Sequence, residues 1–233
     1  MEREKGILIA IEGLDGSGKA TQSRLLLEHY EKAGRKVQGI SFPDYQSDSS
    51  ALIRMYLGGA FGKNPDDVNA YAASSFFAVD RYASFRTDWG KAYMSGALII
   101  ADRYTTSNAI HQCSKLPENQ WEAYLSWLFH YEYDLLSLPS PDEVIYLRVD
   151  PEESQELMDT RYQGHQEKKD IHEANLSYLK MARKTADRIS QRLNWTVVEC
   201  MENSVKGKKM RSIQDIHEEL VRILEKRELS RPL

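Results

Sequence analysis

The chain has 233 residues, 41% of them hydrophobic and 28% charged, the composition of one folded domain and not of a disordered tail, a collagen-like fibre or a coiled coil. Its 31 Lys and Arg against 35 Asp and Glu leave a formal charge of −4, so the broad positive surface that nucleic acid demands is missing and nucleic acid is not an expected partner. No apolar run nears the roughly 20 residues of a bilayer span, Cys113 and Cys200 have no paired spacing, and the mixed-charge N-terminus opens no signal peptide, which together predict a cytoplasmic protein without disulfides, zinc or membrane contact.

Short Ile- and Val-rich runs alternate along the chain with longer amphipathic stretches. Residues 6–12 read as a first strand, apolar on both faces and therefore central. A helix is expected over 21–33, with Leu25, Leu26 and Leu27 on one side and Gly34 at its end. Residues 36–42, stopped by Pro43, read as a second strand, 98–101 as a third, 144–149 as a fourth and 195–199 as a fifth. Helical patterns at 67–88, 118–136, 172–193 and 212–225 separate the later strands. This alternation predicts a single α/β domain over 1–233, a parallel sheet with helices on both faces. Residues 160–169 stand apart as polar and glycine-containing, too short for a domain and of a size for a mobile lid. The cluster at 206–211 reads as an exposed loop, and both cysteines as packed thiols.

The best chemical signal follows the first strand directly: Gly13-Leu14-Asp15-Gly16-Ser17-Gly18-Lys19-Ala20-Thr21. It is a G-x-x-x-x-G-K sequence between a predicted strand and a predicted helix, the context in which glycines let backbone N–H groups curl around a phosphate and the helix dipole adds to the attraction. Lys19 would reach the β- and γ-phosphates as a point charge. One position departs from the pattern. Ala20 stands where Ser or Thr offers a hydroxyl to Mg²⁺, and Thr21 is one residue late, about 100° around the helix. A metal would then rely on phosphate oxygens, water and a carboxylate. Asp15 is one candidate; Asp102, which ends the third strand, is the other.

Further motifs accompany that loop. Asp102-Arg103-Tyr104 is followed by Ser107-Asn108-Ala109; earlier come Phe42-Pro43-Asp44-Tyr45 and Phe77-Ala78-Val79-Asp80-Arg81; later, Leu138-Pro139-Ser140-Pro141-Asp142 leads into the fourth strand. In this order and at these separations the set resembles the thymidylate kinase family, enzymes that transfer phosphate from ATP to dTMP. The resemblance runs from about residue 7 to about 193 and is loose after Cys200. It implies a P-loop nucleoside monophosphate kinase, a five-stranded parallel sheet flanked by helices with a short lid at about 160–172. It further implies Mg²⁺ with ATP, and a homodimer packed through helices beside the sheet, for which 69–93 is the candidate stretch.

Residue roles follow from the resemblance. Phe77 falls where the family stacks an aromatic ring on thymine, and Arg81, four residues on and on the same helical face, where an arginine hydrogen-bonds the base. Arg103 matches the arginine that holds the acceptor phosphate, a planar fork suited to phosphate oxygens. Phe42, Pro43 and Tyr45 match the segment lining the sugar and 5′-phosphate, Asn108 the reader of the pyrimidine edge, and Asp15 a group near acceptor sugar and metal. His111 stands where the family usually has Tyr beside the 2′ position, which predicts relaxed discrimination against ribose. Gly16 occupies the place where some members carry a catalytic arginine inside the P-loop, so that charge is expected from the lid, with Arg161 as the finger and Lys168 and Lys169 assisting. Two other readings stand beside this one. A kinase for another deoxynucleotide or a nucleoside would use Asp102-Arg103 differently. A nucleotide-binding regulator without turnover would account for Ala20, His111 and the arginine-poor lid.

Overall fold

The computed structural model describes residues 5–162, 176–204 and 207–228. Ile7–Gly13 forms β1, buried at every residue after the first, and it occupies the centre of the sheet as a strand apolar on both faces must. α1 (Lys19–Lys32) and β2 (Val37–Ser41) follow, then α2 (Ala51–Leu57) and α3 (Ala70–Ser84), which runs through a π-helical turn at Phe85–Trp89 into α4 (Gly90–Tyr93). Next come β3 (Leu98–Asp102), α5 (Thr105–Cys113) and α6 (Trp121–Phe129), extended by a second π-helical turn at His130–Leu135. The remaining elements are β4 (Glu143–Arg148), α7 (Pro151–Tyr162), α8 (Leu176–Arg192), β5 (Thr196–Glu199), the antiparallel hairpin β6 (Met201–Ser204) and β7 (Gly207–Met210), and α9 (Ile213–Glu228).

The sheet is parallel, with strand order β2-β3-β1-β4-β5. Its register pairs Ile11 with Asp102 and Gly13 with Leu147, so the loops after β1, β3 and β4 leave from one edge. Alternate residues of β1 face opposite layers. Ile9 and Ile11 pack with Leu26 and Tyr30 of α1 and with Ile216, Leu220 and Leu224 of α9, which recur at the four-residue spacing of a buried helical stripe. Leu8 and Ala10 pack with Trp89, Tyr93, Ile99 and Tyr104 on the other side. There Ile110 of α5 also meets Tyr146 of β4 and Ala182 and Ala186 of α8. Because α1 covers one face and α5 the other, the chain diverges after β1 and β3. A crevice at the carboxyl ends of neighbouring strands follows from that divergence.

The five sheet strands lie within one residue of their sequence expectation at both ends. Residues 206–211 do not form an exposed loop where they are described: Gly207–Met210 is a strand, and Lys209 pairs with Glu202 across the hairpin at 3.0 Å. Of the expected lid, 160–162 complete α7, while 163–172, including Lys168 and Lys169, lie outside the described residues. No helix among the described residues is long and apolar enough to cross a membrane.

Candidate active site

The β1–α1 loop is built to receive an anion. Gly16 and Gly18 adopt left-handed φ of 81° and 89°, a conformation that costs a side-chain-bearing residue about 1 kcal/mol or more and glycine little. Gly18 is also the N-cap of α1; no side chain caps that end, and its first turn carries no acid, so helix-terminal N–H groups stay available to a phosphate. Lys19 is 6% exposed and donates to Leu14 O at 2.7 Å. Burial and the nearby Arg103 lower its pKa to about 8, against the opposing pull of Asp15, Asp102 and Glu12. In the same loop Ser17 Oγ is buried and has no hydrogen-bond partner among the described residues. Ala20 is exposed and Thr21 half-buried.

Arg103 enters from the turn after β3. Its φ of 70° is left-handed, a strained conformation for a non-glycine residue that surrounding structure must enforce. Two ties enforce it. The Arg103 N–H donates to Ile11 O at 3.1 Å. Beneath the turn, fully buried Glu12 accepts from Tyr104 N at 3.1 Å, Thr106 Oγ1 at 2.6 Å and Ser107 Oγ at 2.5 Å. Burial raises the Glu12 pKa, while Arg103 and those donors oppose the rise. The Arg103 guanidinium then pairs with Asp15 through Nη2, linking the two loops. Burial works against ionisation of Asp15, but Arg103 and Lys19 outweigh it and hold the carboxyl below its ordinary range. Asp15 also accepts, at its backbone oxygen, from Ser154 Oγ at the start of α7.

A cleft of about 540 Å³ opens from that arginine pair toward α3 and α5. Asp15, Phe42, Pro43, Tyr45, Phe77, Arg81, Arg103, Asn108 and His111 line it, so the structure brings together every acceptor-side residue expected from the sequence. The segment after β2 is held in place by Asp80, which accepts from Asp44 N at 2.9 Å and Ser49 Oγ at 2.6 Å, and by Arg54, which donates to Tyr45 O at 3.1 Å and Ser47 O at 3.0 Å.

Two buried residues unnoticed in the sequence act here, Gln112 in the cleft lining and Glu132 behind Arg81. Gln112, one helical turn after Asn108, is fully buried, and neither its Oε1 nor its Nε2 has a hydrogen-bond partner among the described residues. Such a pair of donor and acceptor is costly unless a ligand meets it. Glu132, in the second π-helical turn, is buried and takes the Arg81 guanidinium at two points, Nε at 2.7 Å and Nη2 at 2.6 Å, and Thr105 Oγ1 at 2.6 Å. Burial alone would lower the Arg81 pKa, but Glu132 more than reverses that, so the arginine stays charged at the cleft wall.

Asp102 is half-buried at the end of β3 and close enough to Lys19 for its charge to oppose the lowering of the lysine pKa. Among the described residues no three His, Cys, Asp or Glu side chains gather into a metal cage. A single carboxylate with phosphate oxygens and water is nonetheless a donor set that Mg²⁺ favours. Since Asp15 is already engaged by Arg103, Asp102 fits this role better. Arg161 falls in the last turn of α7, and its side chain lies outside the described residues.

A glycine-rich loop with a buried lysine at a helix N-terminus, and an arginine that stands between it and a second, partly apolar cleft, define a kinase with a small phosphorylated acceptor; with the strand order, this is a P-loop nucleoside monophosphate kinase. The thymidylate kinase family model matches residues 11–211, and the chain belongs to that family. A thymidylate kinase of Mycobacterium tuberculosis is 36% identical over 149 residues, 63% of this chain and 67% of that protein. The solved structure of thymidylate kinase from Candida albicans superposes with a TM-score of 0.68 at 22% identity, covering 96% of this chain and 93% of that one. The structure of the Ehrlichia chaffeensis enzyme gives 0.63 at 20% identity, over 95% and 100%.

Proposed function

We propose that the chain transfers the γ-phosphate of ATP to dTMP, with the P-loop as donor site and the cleft as acceptor site. The observation that carries this reading is the polarity of that one cleft. Its arginine end adjoins the P-loop lysine, while its far end offers a ring, Phe77, and the amides of Asn108 and Gln112. A nucleoside monophosphate has the same polarity, with a charged phosphate at one end and a flat edge of donors and acceptors at the other. Phe77 supplies a stacking face, Arg81 and the two amides the hydrogen bonds, and Phe42, Pro43 and Tyr45 the wall beside the sugar.

The acceptor phosphate is already anionic near neutral pH, so no strong base is required. Catalysis rests on alignment and on positive charge around the transferring group, supplied by Lys19, the loop N–H groups and Arg103. Asp15, held by Arg103, fixes the guanidinium between donor and acceptor. Asp102 would offer its carboxylate to a bound Mg²⁺, whose chemistry there would be to neutralise charge on the donor phosphates. Arg161, with Lys168 and Lys169, is the proposed lid contribution. Assembly as a homodimer is proposed through the outward side of α3, where Val79 is 43% and Tyr82 41% exposed. A cytoplasmic location is the companion reading, supported by two buried free thiols.

The test is a coupled ADP-release assay with ATP, Mg²⁺ and a panel of dTMP, dUMP, UMP, dCMP, dGMP and thymidine. Turnover led by dTMP is expected, and Arg103→Ala should lower kcat/KM for dTMP by about a hundredfold or more. Turnover led by thymidine would instead favour a nucleoside kinase, and ATP binding without turnover on any acceptor would leave only a nucleotide-binding regulator.

A further inference from the structure

Of the two short motifs that supply one side of the acceptor cleft, Phe42, Pro43 and Tyr45 line it from the segment after β2, and Phe77 and Arg81 line it from α3. The acid in each motif, Asp44 and Asp80, does not. The two acids meet each other instead. Asp80 Oδ2 accepts from Asp44 N at 2.9 Å, and Asp80 Oδ1 accepts from Ser49 Oγ at 2.6 Å. With the Ser49 proton committed to the carboxylate, Ser47 Oγ, 2.7 Å away, donates to Ser49 Oγ and itself accepts from Ser49 N at 3.3 Å. One side chain of α3 thus takes both ends of residues 44–49. Within that segment the backbone bonds are turns, Tyr45 N to Pro43 O at 3.1 Å and Ser47 N to Asp44 O at 3.0 Å, which set its shape but not its place against the helices. Arg54 of α2 also reaches it, at the carbonyls of Tyr45 and Ser47, but Arg54 is exposed, so water competes for the same carbonyls. Asp80 is 0% exposed, where hydrogen bonds to a carboxylate meet little competition and are worth more.

We propose that Asp80 is a positioning residue, which locks the wall at residues 42–45 to the helix that carries Phe77 and Arg81, so that the sugar side and the base end of the cleft keep one fixed spacing. Three residues on from Phe77, Asp80 lies about 60° around α3 from it, so one rigid helix presents the ring to the base and the carboxylate to the wall. Without the carboxylate the segment would keep its turns but take up several positions against α3. An acceptor must then select the competent one, and its apparent affinity falls by the fraction of time that position is occupied. The donor site is built from other elements and would not sense the change. What the lock requires is hydrogen-bonding capacity at two points and not a negative charge. An amide at this position could accept from Asp44 N and donate to Ser49 Oγ, whose own proton can turn to Ser47 Oγ. The kinetic consequence rests on the acceptor role proposed above for the cleft, whereas the lock itself does not depend on it.

The experiment uses the full chain and reads two quantities, the kinetics and the hydrogen exchange of single backbone amides by NMR. Asp80→Ala should raise KM for dTMP about tenfold or more with KM for ATP unchanged, and Asp80→Asn should stay within about threefold of the wild type. Arg54→Ala should raise KM for dTMP by less than Asp80→Ala does. Ser49→Ala deletes one half-buried hydroxyl and should raise it about threefold, which carries the test if Asp80→Ala fails to fold. In exchange, the Asp44 amide should be protected in the wild type and at least about tenfold faster in Asp80→Ala. The Phe42 amide, which donates to Asp102 O at 3.0 Å on the sheet side, should keep its rate. A merely structural role would speed both amides together and lower kcat through loss of folded enzyme, leaving KM for dTMP in place. An unprotected Asp44 amide in the wild type, a wild-type KM for dTMP in both Asp80→Ala and Ser49→Ala, or a larger effect of Arg54→Ala overturns the proposal. Absence of dTMP turnover in the wild type would overturn the kinase reading, while exchange at Asp44 alone would still support or overturn the lock.

Discussion

Lys19, the proposed donor-phosphate lysine, illustrates how burial tunes a charged side chain. Burial and the Arg103 charge bring its pKa from 10.5 to about 8. A depressed folded value contributes stability that is present above the unfolded value and lost as pH falls through about 8, so at neutral pH the buried charge weighs against the folded state. A triphosphate in the loop reverses this by restoring an anion beside the ammonium. Between about pH 8 and 10.5, ATP binding should therefore take up a proton, seen in calorimetric titrations as an enthalpy that changes with the buffer's ionisation heat. At about pH 7 the uptake should vanish, since Lys19 is already charged there. Lys19→Met should abolish the uptake and lower kcat by about a hundredfold or more, while raising the melting temperature of the ligand-free protein. A buffer-independent enthalpy at pH 9 would refute the depressed pKa. The loop motif made Lys19 legible in the sequence. Its tuning was not, because Arg103 arrives from another strand, 84 positions away.

At the scale of elements, π-helical turns and polar helices do work that hydrophobic patterning does not announce. The central strands were readable because parallel strands covered on both faces are near-continuous apolar runs. α5 carries no such signal. Its sequence Thr105-Thr106-Ser107-Asn108-Ala109-Ile110-His111-Gln112-Cys113 is mostly polar, yet every residue is buried, with polar groups turned to Glu12, the cleft and Tyr178. Glu132 was hidden for a related reason. The stretch 118–136 holds several acids, and sequence alone cannot say that Glu132 is enclosed while Asp134 is 70% exposed. The π-helical turn carries the acid that secures Arg81 on α3 and Thr105 on α5, so it ties together the two helices that form the base end of the cleft. Breaking a buried pair from one side leaves an uncompensated charge, which costs about 3–5 kcal/mol. Glu132→Gln should therefore lower the unfolding free energy measured by urea denaturation by about that amount and raise KM for dTMP. Arg81→Met with Glu132→Gln should recover part of the stability while KM stays high. If Glu132→Gln left both unchanged, the pair would not be what holds the arginine.

At the scale of the whole molecule, α3 is asked to serve two surfaces at once. Its inner side presents Phe77 and Arg81 to the cleft; its outer side presents Val79 and Tyr82, three residues apart and on one helical face. Neither is needed for the core of a single chain, where Ala73 and Ala78 already provide the close contacts of this helix. The homodimer proposed above gives that outer side an occupant. A two-fold interface meets itself, so a single substitution in the chain is felt twice in the assembly. Sedimentation velocity of the wild type should give twice the chain mass, and Val79→Glu should shift the dissociation constant by about a hundredfold or more by burying two like charges across the axis. Because Phe77 and Arg81 ride on the same helix, the monomeric variant should bind dTMP more weakly while ATP affinity, set by the distant P-loop, stays constant. A wild type that sediments as a monomer would remove the dimer. A Val79→Glu protein that remains dimeric would move the interface away from α3.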